Sequence, residues 1–84
     1  MQRFECVVEY GDEDLAELVY DAVIPDVELM PRRRSEVDLT VDEGNLKISI
    51  EAEDVPALRA SVTGVLRLVS TVERVLGAIG WPKI

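Results

Sequence analysis

The fold of this chain is decided by the stretch from Glu36 to Ala52, which reads EVDLTVDEGNLKISIEA. Apolar and polar residues alternate through both halves of the stretch, and this is the period of a strand with one buried face. The halves are separated by Asp42-Glu43-Gly44-Asn45, a polar segment with the glycine that a tight turn favours. The stretch therefore predicts a hairpin of two antiparallel strands.

Upstream of the hairpin, the sequence predicts a strand, a helix and one long loop. The strand has apolar residues at alternate positions: Phe4, Cys6, Val8 and Tyr10. The helix begins near Asp12 or Asp14, either of which can cap it, and we expect Pro25 to end it. The segment from Asp26 to Arg34 has no apolar period and predicts a loop of about ten residues.

Downstream of the hairpin, the sequence predicts a second and longer helix. Asp54 can cap it, and Pro56 fits its first turn, where the missing N–H costs nothing. The apolar rhythm continues from Leu58 to Ile79. The residues Gly77-Ala78-Ile79-Gly80 match the GxxG pattern of a KH-domain loop, but at the end of a helix they indicate a C-cap.

These elements predict an α+β fold with the order β-α-β-β-α. A right-handed crossover makes the first and second strands parallel, and the hairpin then places the third strand between them, antiparallel to both. One face of each strand is almost wholly apolar, so we expect both helices on the same face of a three-stranded sheet. The topology is KH-like without the GxxG loop. The opposite face and the two sheet edges are left for water or for pairing.

Size and composition predict a single small domain, residues 1–84, without catalysis. The chain has no histidine and a single cysteine, Cys6, so it offers no nucleophile–base pair and no zinc set. We expect no cofactor, no metal and no small-molecule substrate. We also find no apolar run of roughly 18 residues and no secretion signal, which predicts a cytoplasmic protein without membrane contact. The net charge of −8 predicts an acidic, well-solvated surface.

The second helix carries more apolar surface than a sheet cover requires. Leu68 and Val75 lie to one side of its main apolar stripe, with Gly64 beside them. These residues either pack against the first helix or offer a groove to the helices of a partner. The candidate partner-binding residues are Tyr20, Ile24, Gly64, Leu68 and Val75.

A second candidate surface is basic. Arg32, Arg33 and Arg34 are consecutive, and Arg59 and Arg67 lie on one side of the second helix. Arginine forks bind phosphate oxygens, so these five residues are candidates for RNA contact. The alternative is that they are surface arginines paired with the many carboxylates.

One resemblance covers nearly the whole chain. It is carried by Arg34 to Leu39, by Leu46 to Asp54, and by Ala57 to Arg67, with the most specific part between Ile48 and Arg67. In these segments the chain resembles the Pcc family, the small dimerisation subunit of the archaeal and eukaryotic KEOPS complex. It departs from the family at Thr63-Gly64, where Asn-Ser is usual.

The resemblance implies a non-catalytic subunit of the machine that installs threonylcarbamoyladenosine in tRNA. Such a subunit forms a homodimer, packs its helices on the transferase subunit, and helps the complex to hold tRNA. Gly64, Leu68 and Val75 would make the helix contact, and the five arginines would face the tRNA. Two other readings remain: a stand-alone KH-like RNA-binding module, which normally has a GxxG loop, and a small regulatory ligand-binding domain.

Overall fold

A computed structural model describes residues 1–30, 34–78 and 80. It contains β1 (Gln2–Glu9), α1 (Glu13–Leu29), β2 (Ser35–Asp42), β3 (Asn45–Ala52) and α2 (Val55–Ala78). The strand order is β1-β3-β2, and β3 is antiparallel to both neighbours. The predicted α+β class, element order and central third strand are confirmed.

The hairpin turn between β2 and β3 consists of Glu43 and Gly44. Both have positive φ, 51° and 82°, as a two-residue type I′ hairpin turn requires. The Gly44 carbonyl accepts the N–H groups of Tyr10 and Gly11, each at 3.2 Å. A Cβ on Gly44 would lie 2.9 Å from the Asp12 backbone nitrogen, so the turn packs against the end of β1 too closely for any side chain.

The core lies between one face of the sheet and both helices. On β3, Leu46, Ile48 and Ile50 are fully buried. The helices cover this face with the following buried residues: Ala16, Val19, Val23 and Val27 from α1, and Ser61, Val65, Val69 and Leu76 from α2. The alternate residues of all three strands, which point to the other face, are mostly exposed. The arrangement agrees with the expected placement of both helices on one side.

The first helix starts as predicted but ends later. Its N-cap is Asp12, whose Oδ1 accepts the N–H groups of Asp14 (2.9 Å) and Leu15 (3.1 Å). The prediction that Pro25 ends the helix is wrong, because α1 passes through Pro25 to Leu29. The proline removes one helical hydrogen bond, but it lies on the exposed side, where water can serve the freed carbonyl group. The buried Val27 on the following turn anchors the extension to the core.

The later end of α1 also corrects the predicted loop from residue 26 to residue 34. Helix occupies its first part, and Met30 is the C-cap, with its N–H donated to the Val27 carbonyl at 3.1 Å. The candidate residues Arg32 and Arg33 lie outside the described residues. The connection between α1 and β2 is therefore shorter than the sequence pattern indicated.

The second helix is capped by Asp54, as predicted. Its Oδ1 accepts the Ala57 N–H at 2.8 Å. By length and composition alone, Val55–Ala78 is long and apolar enough to cross a membrane. The search for an unbroken apolar run missed this, because charged residues such as Arg59 and Arg67 divide the segment together with serine and threonine. In the fold the helix lies on the sheet, with Val65 completely buried.

Candidate protein and RNA interface

Two contacts fix which flank of α2 faces which neighbour. A Cβ on Gly64 would lie 3.1 Å from the Met30 Cε atom, so the Gly64 flank faces the end of α1. Glu73 accepts a hydrogen bond from the Tyr10 hydroxyl, 2.5 Å from its Oε2, so the Glu73 flank faces β1. At about 100° per residue these two positions lie on opposite sides of the helix.

The Gly64 flank is the apolar flank singled out from the sequence. Leu68 and Val75 project within about 40° of Gly64 on the same helical wheel. Leu68 is half-buried, whereas Val75 is 56% exposed. The two expected roles are thus divided along the helix: Gly64 and Leu68 contribute to packing near α1, and Val75 presents its side chain to solvent.

The first helix adds two exposed leucines to this flank. The contacts of Gly64 and Glu73 imply the right-handed β1–α1–β2 crossover that such units almost always have. That hand turns Leu18 and Leu29 toward α2, and both are exposed, at 40% and 82%. We define the helix seam as the solvent-facing line between the two helices, formed by Leu18, Leu29, Gly64, Leu68 and Val75.

Tyr20 and Ile24 lie elsewhere. Both are half-buried, and on the helical wheel they project more than about 100° from Leu18, on the flank of α1 turned away from α2. The structure therefore brings together three of the five candidate partner-binding residues. The sequence analysis did not single out Leu18 as a partner-binding residue, and it placed Leu29 in the predicted loop. Leu29 was missed because the sequence analysis wrongly ended α1 at Pro25.

The candidate RNA-binding residues of α2 line one surface groove. It has a volume of about 510 Å³ and is bordered by Val55, Pro56, Arg59, Ala60, Thr63, Gly64 and Arg67. Arg74 lies on the same exposed side of the helix. The only carboxylate of α2 is Glu73, which is bonded to Tyr10 on the opposite flank. This face is therefore a positively charged strip on an acidic protein, and we call it the arginine face.

Arg34 is close to the arginine face but is engaged in the fold. A neighbouring groove joins Arg34 to Pro56 and Ala60, which also border the first groove. Its guanidinium group pairs with Asp54, the cap of α2, and lies 3.9 Å from a Glu53 carboxylate oxygen. Its carbonyl accepts the Glu53 N–H at 2.9 Å. The charge of Arg34 is thus largely compensated, whereas none of the ion pairs within the described residues involves Arg59, Arg67 or Arg74.

The Tyr10–Glu73 hydrogen bond ties the end of β1 to α2. Burial, the hydrogen bond and the negative charge of Glu73 all raise the pKa of Tyr10 well above its ordinary value of 10.0. A raised pKa in the folded state means that the neutral phenol stabilises the fold at pH values below 10.0, and that this contribution is lost as the pH rises beyond it.

We therefore expect the free energy of unfolding to fall above about pH 10, and Tyr10→Phe to flatten that fall. Tyr20→Phe, at the other phenol of the chain, is the control and should keep the alkaline loss. Urea unfolding followed by circular dichroism between pH 8 and about pH 11 measures both. Equal alkaline slopes for the two variants would contradict this role of Tyr10.

Among the described residues, no group of three or more histidine, cysteine or acidic side chains is arranged to hold a metal ion. The surfaces that stand out are the helix seam and the arginine face, which suit contact with a protein and with a polyanion. Comparison with known proteins supports an assembly role for such a domain. The family described as "Transcription factor Pcc1" matches residues 3–77. The chain belongs to this family.

Individual relatives agree with the Pcc1 assignment in sequence and in fold. The KEOPS complex subunit Pcc1 of Pyrococcus abyssi (strain GE5 / Orsay) is 36% identical over 70 residues, covering 83% of this chain and 85% of that protein. A chain in the crystal structure of the binary complex Gon7-Pcc1 superposes with a TM-score of 0.83 at 15% identity, covering 93% of this chain and 95% of that chain. The second likeness shows a shared fold.

Proposed function

We propose that this chain is a non-catalytic, dimerising scaffold subunit of a KEOPS complex that supports threonylcarbamoyladenosine modification of cytoplasmic tRNA. Membership of the Pcc1 family and the relative named as a KEOPS complex subunit support the complex. The exposed apolar line of the helix seam is the observation that supports a scaffold role, because a small domain rarely leaves such side chains without a partner.

The helix seam is proposed as the site for the transferase subunit. Leu18 and Val75 leave apolar surface in solvent on both helices, and two parallel rows of side chains with a furrow between them suit the ridge of a partner helix. Because Gly64 has no side chain, the groove between the helices is more open at that end, where only the flexible Met30 methyl group approaches. The partner helix would therefore lie along the seam.

Reconstitution with the transferase subunit tests this function. We expect the two proteins to co-elute in gel filtration, and the complete set of subunits to form more threonylcarbamoyladenosine in tRNA with this chain than without it. The modified nucleoside is measured by mass spectrometry after digestion of the tRNA. No co-elution, together with unchanged modification when the chain is omitted, would refute the proposal.

The arginine face supports a second part of the proposal, which is that the chain helps the assembled complex to hold tRNA. The double variant Arg59→Ala/Arg67→Ala should weaken tRNA binding by the complex and lower its salt dependence, by about one unit of slope for each phosphate that the protein no longer neutralises. Lys47→Ala, on the open face of the sheet, is the control. A stand-alone RNA-binding module would instead bind the same tRNA without the transferase subunit.

A further inference from the structure

The exposed side of α2 carries hydroxyl groups between its arginines. Five exposed side chains project within about 80° of one another on the helical wheel. At a rise of about 1.5 Å per residue, they extend over about 22 Å of the helix axis. Guanidinium and hydroxyl groups alternate along this line, which we call the arginine–hydroxyl row: Arg59, Thr63, Arg67, Ser70 and Arg74.

The two hydroxyl groups of the row have no internal partner among the described residues. The Thr71 hydroxyl, on the same helix, donates a hydrogen bond to the Arg67 carbonyl at 2.8 Å. By contrast, no side-chain hydrogen bond between described residues involves Thr63 or Ser70. A hydroxyl group can donate one hydrogen bond and accept two. Thr63 and Ser70 therefore keep their full hydrogen-bonding capacity for water or for a ligand.

The row faces away from the acidic side of the domain. It projects about 150° from the centre of the buried side of α2, which rests on the sheet. The only carboxylate of α2, Glu73, is bonded to Tyr10. A polyanion is consequently attracted to the row and repelled from the opposite side of the domain. That opposite side is the open sheet face, which carries these exposed carboxylates: Glu5, Glu9, Glu36, Asp38, Asp42 and Glu51.

The row lacks the aromatic side chains on which the bases of single-stranded RNA usually stack. Among the described residues, Phe4 is half-buried on the helix side of β1, and Tyr10 is bonded to Glu73. Tyr20 lies on the flank of α1 turned away from α2. A convex helix with guanidinium and hydroxyl groups instead suits double-helical RNA, which is recognised by its shape and by its phosphate and 2′-hydroxyl groups.

Side-chain length divides the row into two kinds of contact. On the helical wheel, Thr63 lies about 40° from Arg59 on one side and about 40° from Arg67 on the other. The long guanidinium groups can diverge to the phosphates on both sides of an RNA minor groove, which is wide and shallow. The short hydroxyl groups reach only what approaches the helix surface between them, and in that groove these are 2′-hydroxyl groups. The surface groove of about 510 Å³ that Thr63 shares with the small residue Ala60 leaves room for this approach.

We propose that Thr63 and Ser70 select RNA over DNA by hydrogen bonding to 2′-hydroxyl groups in the minor groove of a double-helical RNA segment. The three arginines of the row bind its phosphates without regard to sequence. The inference rests on the proposed role in holding tRNA; it assigns two further binding residues and the kind of RNA structure that they contact. DNA has no 2′-hydroxyl group, so there the hydroxyl contacts are lost and the phosphate contacts remain.

The double variant Thr63→Val/Ser70→Ala tests this selection in the complex of the chain with the transferase subunit. Fluorescence anisotropy measures the Kd for an RNA duplex and for a DNA duplex of the same sequence. We expect the variant to bind the RNA duplex about tenfold more weakly, as the loss of two hydrogen bonds between neutral groups implies. Its Kd for the DNA duplex should equal that of the wild type. The salt dependence of RNA binding should also stay unchanged, because no phosphate contact is removed.

Thr71→Val is the matched control, because the Thr71 hydroxyl is already bonded within the helix, and it should change neither Kd. Circular dichroism checks that each variant is folded. An equal loss of RNA and DNA binding in the double variant would overturn the inference, and so would tighter binding of single-stranded RNA than of the duplex. Co-elution with the transferase subunit in those cases would leave the KEOPS assignment intact.

The failure of the proposed function is a different result. If the chain and the transferase subunit do not co-elute, the proposed function fails, but the inference can still be tested on the full chain alone. The same two duplexes are then compared by NMR titration, which detects weak binding. Loss of the RNA preference in Thr63→Val/Ser70→Ala would support the inference there, and an unchanged preference would overturn it.

Discussion

Val75→Asp should weaken binding of the transferase subunit by about 30-fold or more while the domain stays folded. Val75 is 56% exposed at the end of the helix seam, so aspartate there stays hydrated in the free protein but is buried without a partner in the complex. An unpaired carboxylate buried in the complex costs about 2 kcal/mol or more, which corresponds to roughly a 30-fold rise in Kd. Isothermal titration of the transferase subunit with each protein measures the difference.

Leu66→Asp is the matched control for this variant. Leu66 is also an exposed aliphatic residue of α2, at 39%, but it projects about 180° from Val75, on the flank that faces β1. We expect this variant to bind the transferase subunit with the wild-type Kd. Thermal unfolding followed by circular dichroism shows that both variants are folded. Equal losses of binding would show that the seam is not the site.

Gly44→Ala should destabilise the domain by about 2 kcal/mol or more. An alanine there must adopt a strained left-handed backbone, and its Cβ would lie 2.9 Å from the Asp12 nitrogen, a backbone atom that cannot rotate away. Asp12 caps α1, so relief of the clash also disturbs that cap. A domain of this size has a total stability of only about 4–12 kcal/mol, so the loss is a large fraction. Urea unfolding measures it.

Substitutions at two other glycines distinguish the two causes of that loss, which are backbone strain and the steric clash of the added Cβ. Gly11 has φ +68° with no atom within 4 Å of an added Cβ, so Gly11→Ala measures the backbone strain alone, about 1 kcal/mol. Gly77 lies in α2 with open space around it, and Gly77→Ala should stabilise the domain by up to about 1 kcal/mol. If Gly44→Ala cost no more than Gly11→Ala, the close packing of the turn on β1 would be disproved.

The fold was largely predictable because its strands obey a simple period. The alternation from Val37 to Ala52 gives both strands one apolar face, and the two-residue Glu43-Gly44 turn sets the register of the hairpin. The crossover that makes β1 and β2 parallel then leaves β3 in the centre. The end of α1 was not predictable from Pro25, because the cost of a proline depends on what the next turn buries. Here that residue is Val27, a core contact visible only in the tertiary structure.

Only part of the candidate site could be predicted, because the sequence shows the apolar arc of each helix but not which flank faces the other helix. The apolar arc of α2 exceeds what one sheet face covers, and this excess identified Leu68 and Val75 from the sequence. The periodicity of α1 could not tell which of its flanks turns toward α2, because that depends on the hand of the crossover and the neighbouring helix. Tyr20 and Ile24 were therefore grouped with Val75, while Leu18 and Leu29, which do line the seam, were not.

The most direct test of the helix seam as the partner site is methyl NMR of this chain during titration with the unlabelled transferase subunit. We expect the methyl signals of Leu18, Leu29, Leu68 and Val75 to shift or broaden, and those of Val7 on the open sheet face and Leu66 to stay in place. Changes confined to Val7 and Leu66, with the seam methyl signals unmoved, would contradict the account.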